Sequence, residues 1–240
     1  MDKGIILAGG RGTRLYPLTK SISKQLLPIY DKPMIYYSLS TLMLASIRDI
    51  LIISTPDDIP LYQNLLCNGS QLGINIKYKI QTDPNGLAEA FIIGEEFIDN
   101  QKVTLILGDN FFYGQNFSSI LKQAMTNSGA TLFLYSISNP SAYGVAEIDN
   151  KKQIISIQEK PKKPKSNLAV TGLYFFDANV CQYAKSLSPS LRGELEITDL
   201  NKIYLENQSL NYVTLGRGFT WMDAGSFETL HSLGTLVSSL

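Results

Sequence analysis

The chain has 240 residues, and its 21 Lys plus Arg balance 21 Asp plus Glu, so the formal net charge is zero. That removes a bulk electrostatic pull toward nucleic acid or an anionic membrane. Hydrophobic residues at 44% and charged residues at 18% fit a packed core and argue against disorder. One His (His231) and two Cys (Cys67, Cys181) are too few for a structural zinc site of about four ligands. No apolar run approaches the ~18 residues of a membrane helix, and Met1 to Gly10 lacks the form of a signal peptide. The expectation is a cytoplasmic protein in which two distant cysteines stay reduced.

Gly4–Ala8 is a continuous apolar run ending at a glycine turn, the pattern of a strand buried on both faces. Pro33 opens a helical pattern with Ile35, Leu39, Leu42 and Met43 on one face. Residues 50–54 read as a strand, 59–66 as a helix and 74–80 as a strand. Leu87, Ala90, Phe91 and Gly94 mark a helical face. A strand over 103–107, a helix near 117–125 and a strand over 131–138 follow. Such alternation predicts an α/β, Rossmann-like mixed, mainly parallel sheet flanked by helices. After residue 140 the strand patterns at 145–148, 154–158 and 169–176 have little helix between them, which predicts a smaller hairpin-rich part. Helices near Ile197–Ile203 and Phe227–Val237 enclose a strand at 210–215. The length suits a single domain over 1–240, with halves meeting near residue 140.

The first candidate site is Leu7-Ala8-Gly9-Gly10-Arg11-Gly12-Thr13-Arg14-Leu15. Three glycines directly after a strand let backbone N–H groups approach anionic oxygens, and two arginines reinforce a phosphate reading. An ordinary tight turn is the plainer alternative. The spacing G-x-x-x-x-G-K-[ST] is absent, and Leu15 stands where G-x-G-x-x-G needs its third glycine. Neither a P-loop NTPase nor a dinucleotide-dependent oxidoreductase is supported. Asp109 follows the strand pattern 103–107 at its carboxyl end, on the edge where open α/β sheets bind ligands. A helix N-cap is the alternative there.

Further motifs follow in order. They are Ser23-Lys24-Gln25-Leu26-Leu27-Pro28, Gln81 with Pro84-Asn85-Gly86-Leu87-Ala88, Leu107-Gly108-Asp109-Asn110 and Tyr143-Gly144-Val145. Then come Gln158-Glu159-Lys160-Pro161, Ala169 to Tyr174 and Trp221-Met222-Asp223-Ala224-Gly225. Together with the glycine loop, they resemble the sugar-1-phosphate nucleotidylyltransferases over almost the whole chain. The resemblance implies transfer of a thymidylyl group from dTTP to glucose 1-phosphate, with pyrophosphate leaving. UTP or another sugar 1-phosphate is the near alternative, and a non-catalytic nucleotide-sugar sensor the distant one. Because every reactant is an anion, such chemistry needs cations and positioning rather than a protein nucleophile. That suits a chain with one His, and His231 reads as a surface or packing residue.

The resemblance also implies roles. Arg14, Lys24 and Lys160 would be catalytic cations. Leu7, Gly9, Gly10, Gly12, Thr13, Gln25, Gln81 and Gly86 would bind the nucleotide. Gln81 would read the base, and Gly86 would begin a helix that brings backbone to it. Tyr143, Gly144, Glu159, Val170, Tyr174 and Arg192 would line the sugar-phosphate side, although Val170 and Tyr174 also fit plain core positions. Asp109 and Asp223 would hold Mg²⁺, whose preference is for carboxylate and phosphate oxygens; for Asp223 a turn beside Gly225 is the alternative. Lys162, Lys163 and Lys165 read as a solvated loop. A homo-oligomer, dimer or tetramer, is implied. The ending at Leu240 is shorter than in longer members, which puts their second nucleotide-sugar site in question here.

Overall fold

The computed structural model describes residues 2–10 and 12–240. Strand β1 (Lys3–Leu7) leads to a small hairpin of β2 (Pro28–Ile29) and β3 (Lys32–Pro33). Helix α1 (Ile35–Leu44), β4 (Asp49–Ser54), α2 (Ile59–Leu66) and β5 (Asn75–Ile80) follow. Next come α3 (Glu89–Ile93), α4 (Glu95–Ile98), β6 (Val103–Leu107), β7 (Asn110–Gly114) and α5 (Phe117–Ala124). The rest is β8 (Ala130–Ser136), β9 (Gly144–Ile148), β10 (Ile154–Glu159), β11 (Leu168–Phe176), α6 (Val180–Ser186), α7 (Ile197–Glu206), β12 (Leu210–Leu215), β13 (Phe219–Asp223) and α8 (Phe227–Ser238).

Among the described residues nine strands form one mixed sheet. Strands β6, β1, β4 and β5 lie side by side and parallel. The βαβ pattern therefore yields the parallel block it predicts. One expectation is corrected: β8 does not extend that block. Strand β11 lies between β6 and β8, antiparallel to both, and β8 pairs in parallel with β12. Periodicity reports which faces of a strand are buried, not which neighbour it takes. Strands β9 and β10 continue the same sheet from β11.

The alternation of β1 explains its composition. Ile5 and Leu7 face a core with Phe91 and Phe97, while Ile6 faces another with Leu39, Leu42 and Tyr62. Both faces are covered, so the run is apolar at every position. No helix among the described residues is long and apolar enough to cross a membrane.

Strand β11 makes the sheet fork. Its start pairs with β9 through Ala169–Val145, and its end pairs with β6 from Leu173 onward. Between these, its register with β8 shifts between Val170 and Tyr174, where four steps on β11 answer two on β8. The bulge frees the Gly172 N–H, which donates to Asn110 Oδ1 at 3.0 Å. A Cβ on Gly172 would stand 2.6 Å from that oxygen, so only glycine permits the contact. Trp221 Nε1 donates to the same oxygen at 2.6 Å. Asn110 thus ties the bulge to the ribbon of β7 and β13, two strands that the apolar pattern does not announce.

The Asn110→Ala variant should leave two buried N–H donors unpaired. We expect a stability loss of about 2–5 kcal/mol, read as a lower denaturant midpoint. A midpoint equal to wild type would show that this junction is not what fixes the fork.

Candidate active site

The fork opens a cleft of about 530 Å³. Asp109 enters it from the carboxyl end of β6, and Asp223 from the end of β13. The antiparallel pairing of β13 with β7 sets Asp223 opposite Asn110, directly beside Asp109. Ala224 N donates to Asp109 O at 3.0 Å and locks that corner. Both alternatives from the sequence fail, because a strand rather than a helix follows Asp109, and Asp223 ends a strand rather than a free turn.

Electrostatics separate the two carboxyls. Burial pushes the Asp109 carboxyl up, but the Lys24 ammonium, by charge and hydrogen bond, brings it below the usual carboxylate range. Lys24 pairs directly with Asp109 Oδ2, and Asn110 Nδ2 donates to Oδ1 at 3.1 Å. Among the described residues Asp223 has no such partner. Burial first, and then the charge of Asp109, push its carboxyl up to about 6, although Lys24 and Arg14 oppose the shift. Arg14 Nη2 lies 3.8 Å from Asp223 Oδ2, while Asp223 Oδ1 is buried with no hydrogen-bond partner. Two close carboxylates with an orphaned oxygen are short of positive charge, and their hard oxygen donors suit a divalent cation. Among the described residues no group of three or more His, Cys, Asp or Glu is placed to hold a metal. The pair is therefore the candidate.

The glycine loop borders a second, smaller pocket of about 80 Å³, lined by Gly9, Gly10, Thr55, Gln81 and the 82–84 turn. Gln25 is buried beneath the loop, accepts from Ser23 Oγ at 2.7 Å and reaches Gly9 O at 3.5 Å. It supports the loop from inside. Leu7 is likewise buried, its carbonyl taken by Gly108 N at 2.9 Å. Gly12 is held by Thr19 Oγ1 at 2.8 Å, and Thr13 is exposed at the start of a short 3₁₀ turn. Arg11 lies outside the described residues. Gly86 does not begin a helix, since α3 starts at Glu89. Its φ of 105° and a Leu195 backbone only 2.4 Å from a notional Cβ explain the glycine instead.

On the opposite wall stand Tyr143, Gly144, Glu159, Lys160, Val170 and Tyr174. Val170 and Tyr174 are core residues that also floor the cleft. Thr198 Oγ1 donates to Glu159 Oε2 at 2.6 Å, and Lys160 Nζ lies 3.7 Å from Glu159 Oε1. Arg192 does not line the cleft. It makes a bidentate pair with Glu196, with Nη2 at 2.7 and 2.8 Å, and lies 3.6 Å from Glu159 Oε1. Its charge steadies Glu159 from behind. Several cleft residues escape the sequence reading as site residues, and three of them bear on its chemistry. Trp221 stacks edge-on with Tyr143 at 5.1 Å, Thr198 braces Glu159, and Thr171 Oγ1 is buried without a partner. Trp221 lies inside a recognised motif, whereas nothing local marks Thr198.

A family model, Nucleotidyl transferase, matches residues 3–238. The chain belongs to the nucleotidyl transferase family. It is 58% identical over 239 residues to a glucose-1-phosphate thymidylyltransferase of Neisseria meningitidis, covering 99% of this chain and 83% of that protein. A relative of that name from Mycolicibacterium smegmatis is 51% identical over 238 residues, with 99% and 83% coverage. A solved Bacillus anthracis structure with a bound sucrose, provisionally named for that activity, superposes at TM-score 0.92 with 40% identity, covering 100% and 96%. A UDP-glucose pyrophosphorylase complexed with UDP-glucose follows at TM-score 0.85 and 25% identity, covering 100% and 99%.

In this nucleotidyl transferase the raised Asp223 carboxyl has a measurable consequence. The folded state holds that proton more tightly than the unfolded chain, whose value is about 3.9. The associated stability is complete below that value and is lost as pH rises through about 6. Without divalent cations at pH 7.5, the Asp223→Asn variant should be more stable than wild type, on the order of 2–3 kcal/mol. Its melting temperature should also lack the wild-type decline between pH 4 and 7. An identical decline in both proteins would refute the burial of an uncompensated charge at Asp223.

Proposed function

We propose that the chain transfers a thymidylyl group from dTTP to glucose 1-phosphate, releasing pyrophosphate and forming dTDP-glucose. The observation that carries this reading is the convergence of Asp109, Asp223, Lys24 and Arg14 on one cleft whose far wall is Glu159 and Lys160. Relatives at 51–58% identity that bear the thymidylyltransferase name support the choice of nucleotide over the UDP-glucose enzyme at 25%. A sensor would have no use for cations gathered on the pyrophosphate side.

In this reading the reactants lie across the fork. A phosphate oxygen of glucose 1-phosphate attacks the α-phosphorus of dTTP, and the bond from that phosphorus to the pyrophosphate oxygen breaks in line with it. Asp109 and Asp223 would hold a divalent cation, Mg²⁺ by its oxygen preference, which when bound supplies charge neutralisation to the phosphates. Lys24 stands beside Asp109 and offers an ammonium to charge that grows on the α-phosphate. Arg14, its side chain 66% exposed, leans from the glycine loop where the outer phosphates would sit. Lys160 takes the sugar phosphate. Glu159, held by Thr198 and steadied by Arg192, accepts from sugar hydroxyls. Gln81 reads the base in the small pocket.

Incubation with glucose 1-phosphate, Mg²⁺ and each triphosphate singly, with pyrophosphate as readout, tests the proposal. The expected order is dTTP first, UTP second, and ATP and GTP poor, because one methyl is worth only ~1 kcal/mol while an unpaired buried amide costs about 1–3. A preference for ATP or GTP would overturn it. Excess chelator should abolish turnover. Lys24→Ala should lower kcat about 10²–10³-fold, or about 2.7–4 kcal/mol, with little change in KM. A loss confined to KM would assign Lys24 to ground-state binding.

A further inference from the structure

Gln81 follows β5 and is buried beneath the small pocket. Its Nε2 donates to two oxygens, Glu89 Oε2 at 2.7 Å and Gly86 O at 3.3 Å. A carboxylate and a backbone carbonyl are both acceptors. An amide set against two acceptors must turn its NH₂ group toward them. Oε1 then points the other way, toward Gly9, 3.4 Å from where a Cβ on that glycine would stand. Gly9, Gly10 and Gln81 line the same pocket. Glu89 is itself fixed, because its Oε1 accepts from Asn85 Nδ2 at 2.9 Å. One carboxylate thus bridges two amides and sets the orientation of one of them.

We propose that Glu89 is a positioning residue for base selection. It holds the Gln81 amide with its carbonyl oxygen toward the pocket, so that the site demands a hydrogen on the facing ring nitrogen. Thymine and uracil carry that hydrogen on N3. Cytosine presents a lone pair there and meets the Gln81 oxygen acceptor to acceptor. Unconstrained, the amide can rotate by half a turn and offer NH₂ instead, and the distinction fades. The inference rests on Gln81 as the base reader, and it goes further by assigning the direction of that reading to a residue outside the pocket lining.

The test compares kcat/KM for dTTP, dCTP and N3-methyl-dTTP, with glucose 1-phosphate and Mg²⁺, in wild type, Glu89→Ala, Glu89→Gln and Gln81→Ala. Glu89→Ala should lower the dTTP-to-dCTP preference about 10-fold or more, through KM, with kcat at saturating dTTP and the melting temperature nearly unchanged. The penalty for N3-methylation should shrink in the same variant. Glu89→Gln should keep most of the preference, because its carbonyl still accepts from Gln81. An unchanged preference in Glu89→Ala, or equal losses on all three nucleotides, would overturn the proposal. Gln81→Ala separates the two levels. If it collapses the preference while Glu89→Ala does not, only the role of Glu89 fails. If neither changes it, the assignment of Gln81 to the base fails and takes the proposal with it.

Discussion

Asp109 and Asp223 meet where β6 ends and β13 ends, in a largely buried corner of the cleft where water screens their repulsion only weakly. Lys24 pairs with Asp109 and brings that carboxyl below its ordinary value. Among the described residues nothing equivalent reaches Asp223, which stays raised to about 6 with one oxygen unpaired. The resting protein thus carries an electrostatic deficit that a cation can fill. Such deficits cost stability and persist where function uses them. The flanking architecture serves the same corner: the bulge in β11, the Asn110 junction and the β7–β13 ribbon all bear on where these two side chains sit.

The fork divides the labour of the cleft. The parallel block, with the glycine loop and Gln81 at its carboxyl edge, offers backbone and cations. The antiparallel strands offer Glu159 and Lys160 on a wall braced by Thr198 and Arg192. The second wall is built from a Thr198 hydrogen bond and ion pairs around Glu159, whereas the first is built from glycine conformations and a buried Gln25. Anionic phosphates suit the first kind of wall and sugar hydroxyls the second.

How much of this is legible in the amino-acid sequence depends on range. Strand β1 is legible because burial on both faces leaves every position after Lys3 apolar, and α1 because its apolar spacing follows 3.6 residues. The site position of Asp109 can be argued from its place after a buried strand, and Lys24 and Asp223 from motif resemblance. The ribbon of β7 and β13 is not legible: its strands are about a hundred residues apart and pair away from the main sheet. The insertion of β11 between β6 and β8 is hidden for a similar reason, since alternation does not encode pairing partners. Thr198 and Glu89 are ordinary residues until the fold brings them to Glu159 and Gln81, whereas Thr171 lies inside a recognised motif that does not single it out as a cleft residue. Gly86 was legible as a special position, but its cause is the close approach of Leu195 rather than a helix start.

The central claim is that Asp109 and Asp223 together form one cation site. Titration of the protein with Mn²⁺, followed by electron paramagnetic resonance of the free ion in the presence of dTTP, measures that site directly. One site per chain is expected in wild type, weakened at least tenfold by Asp109→Asn and by Asp223→Asn alike, while Glu159→Gln leaves it intact. Undiminished Mn²⁺ binding in either aspartate variant would contradict the account.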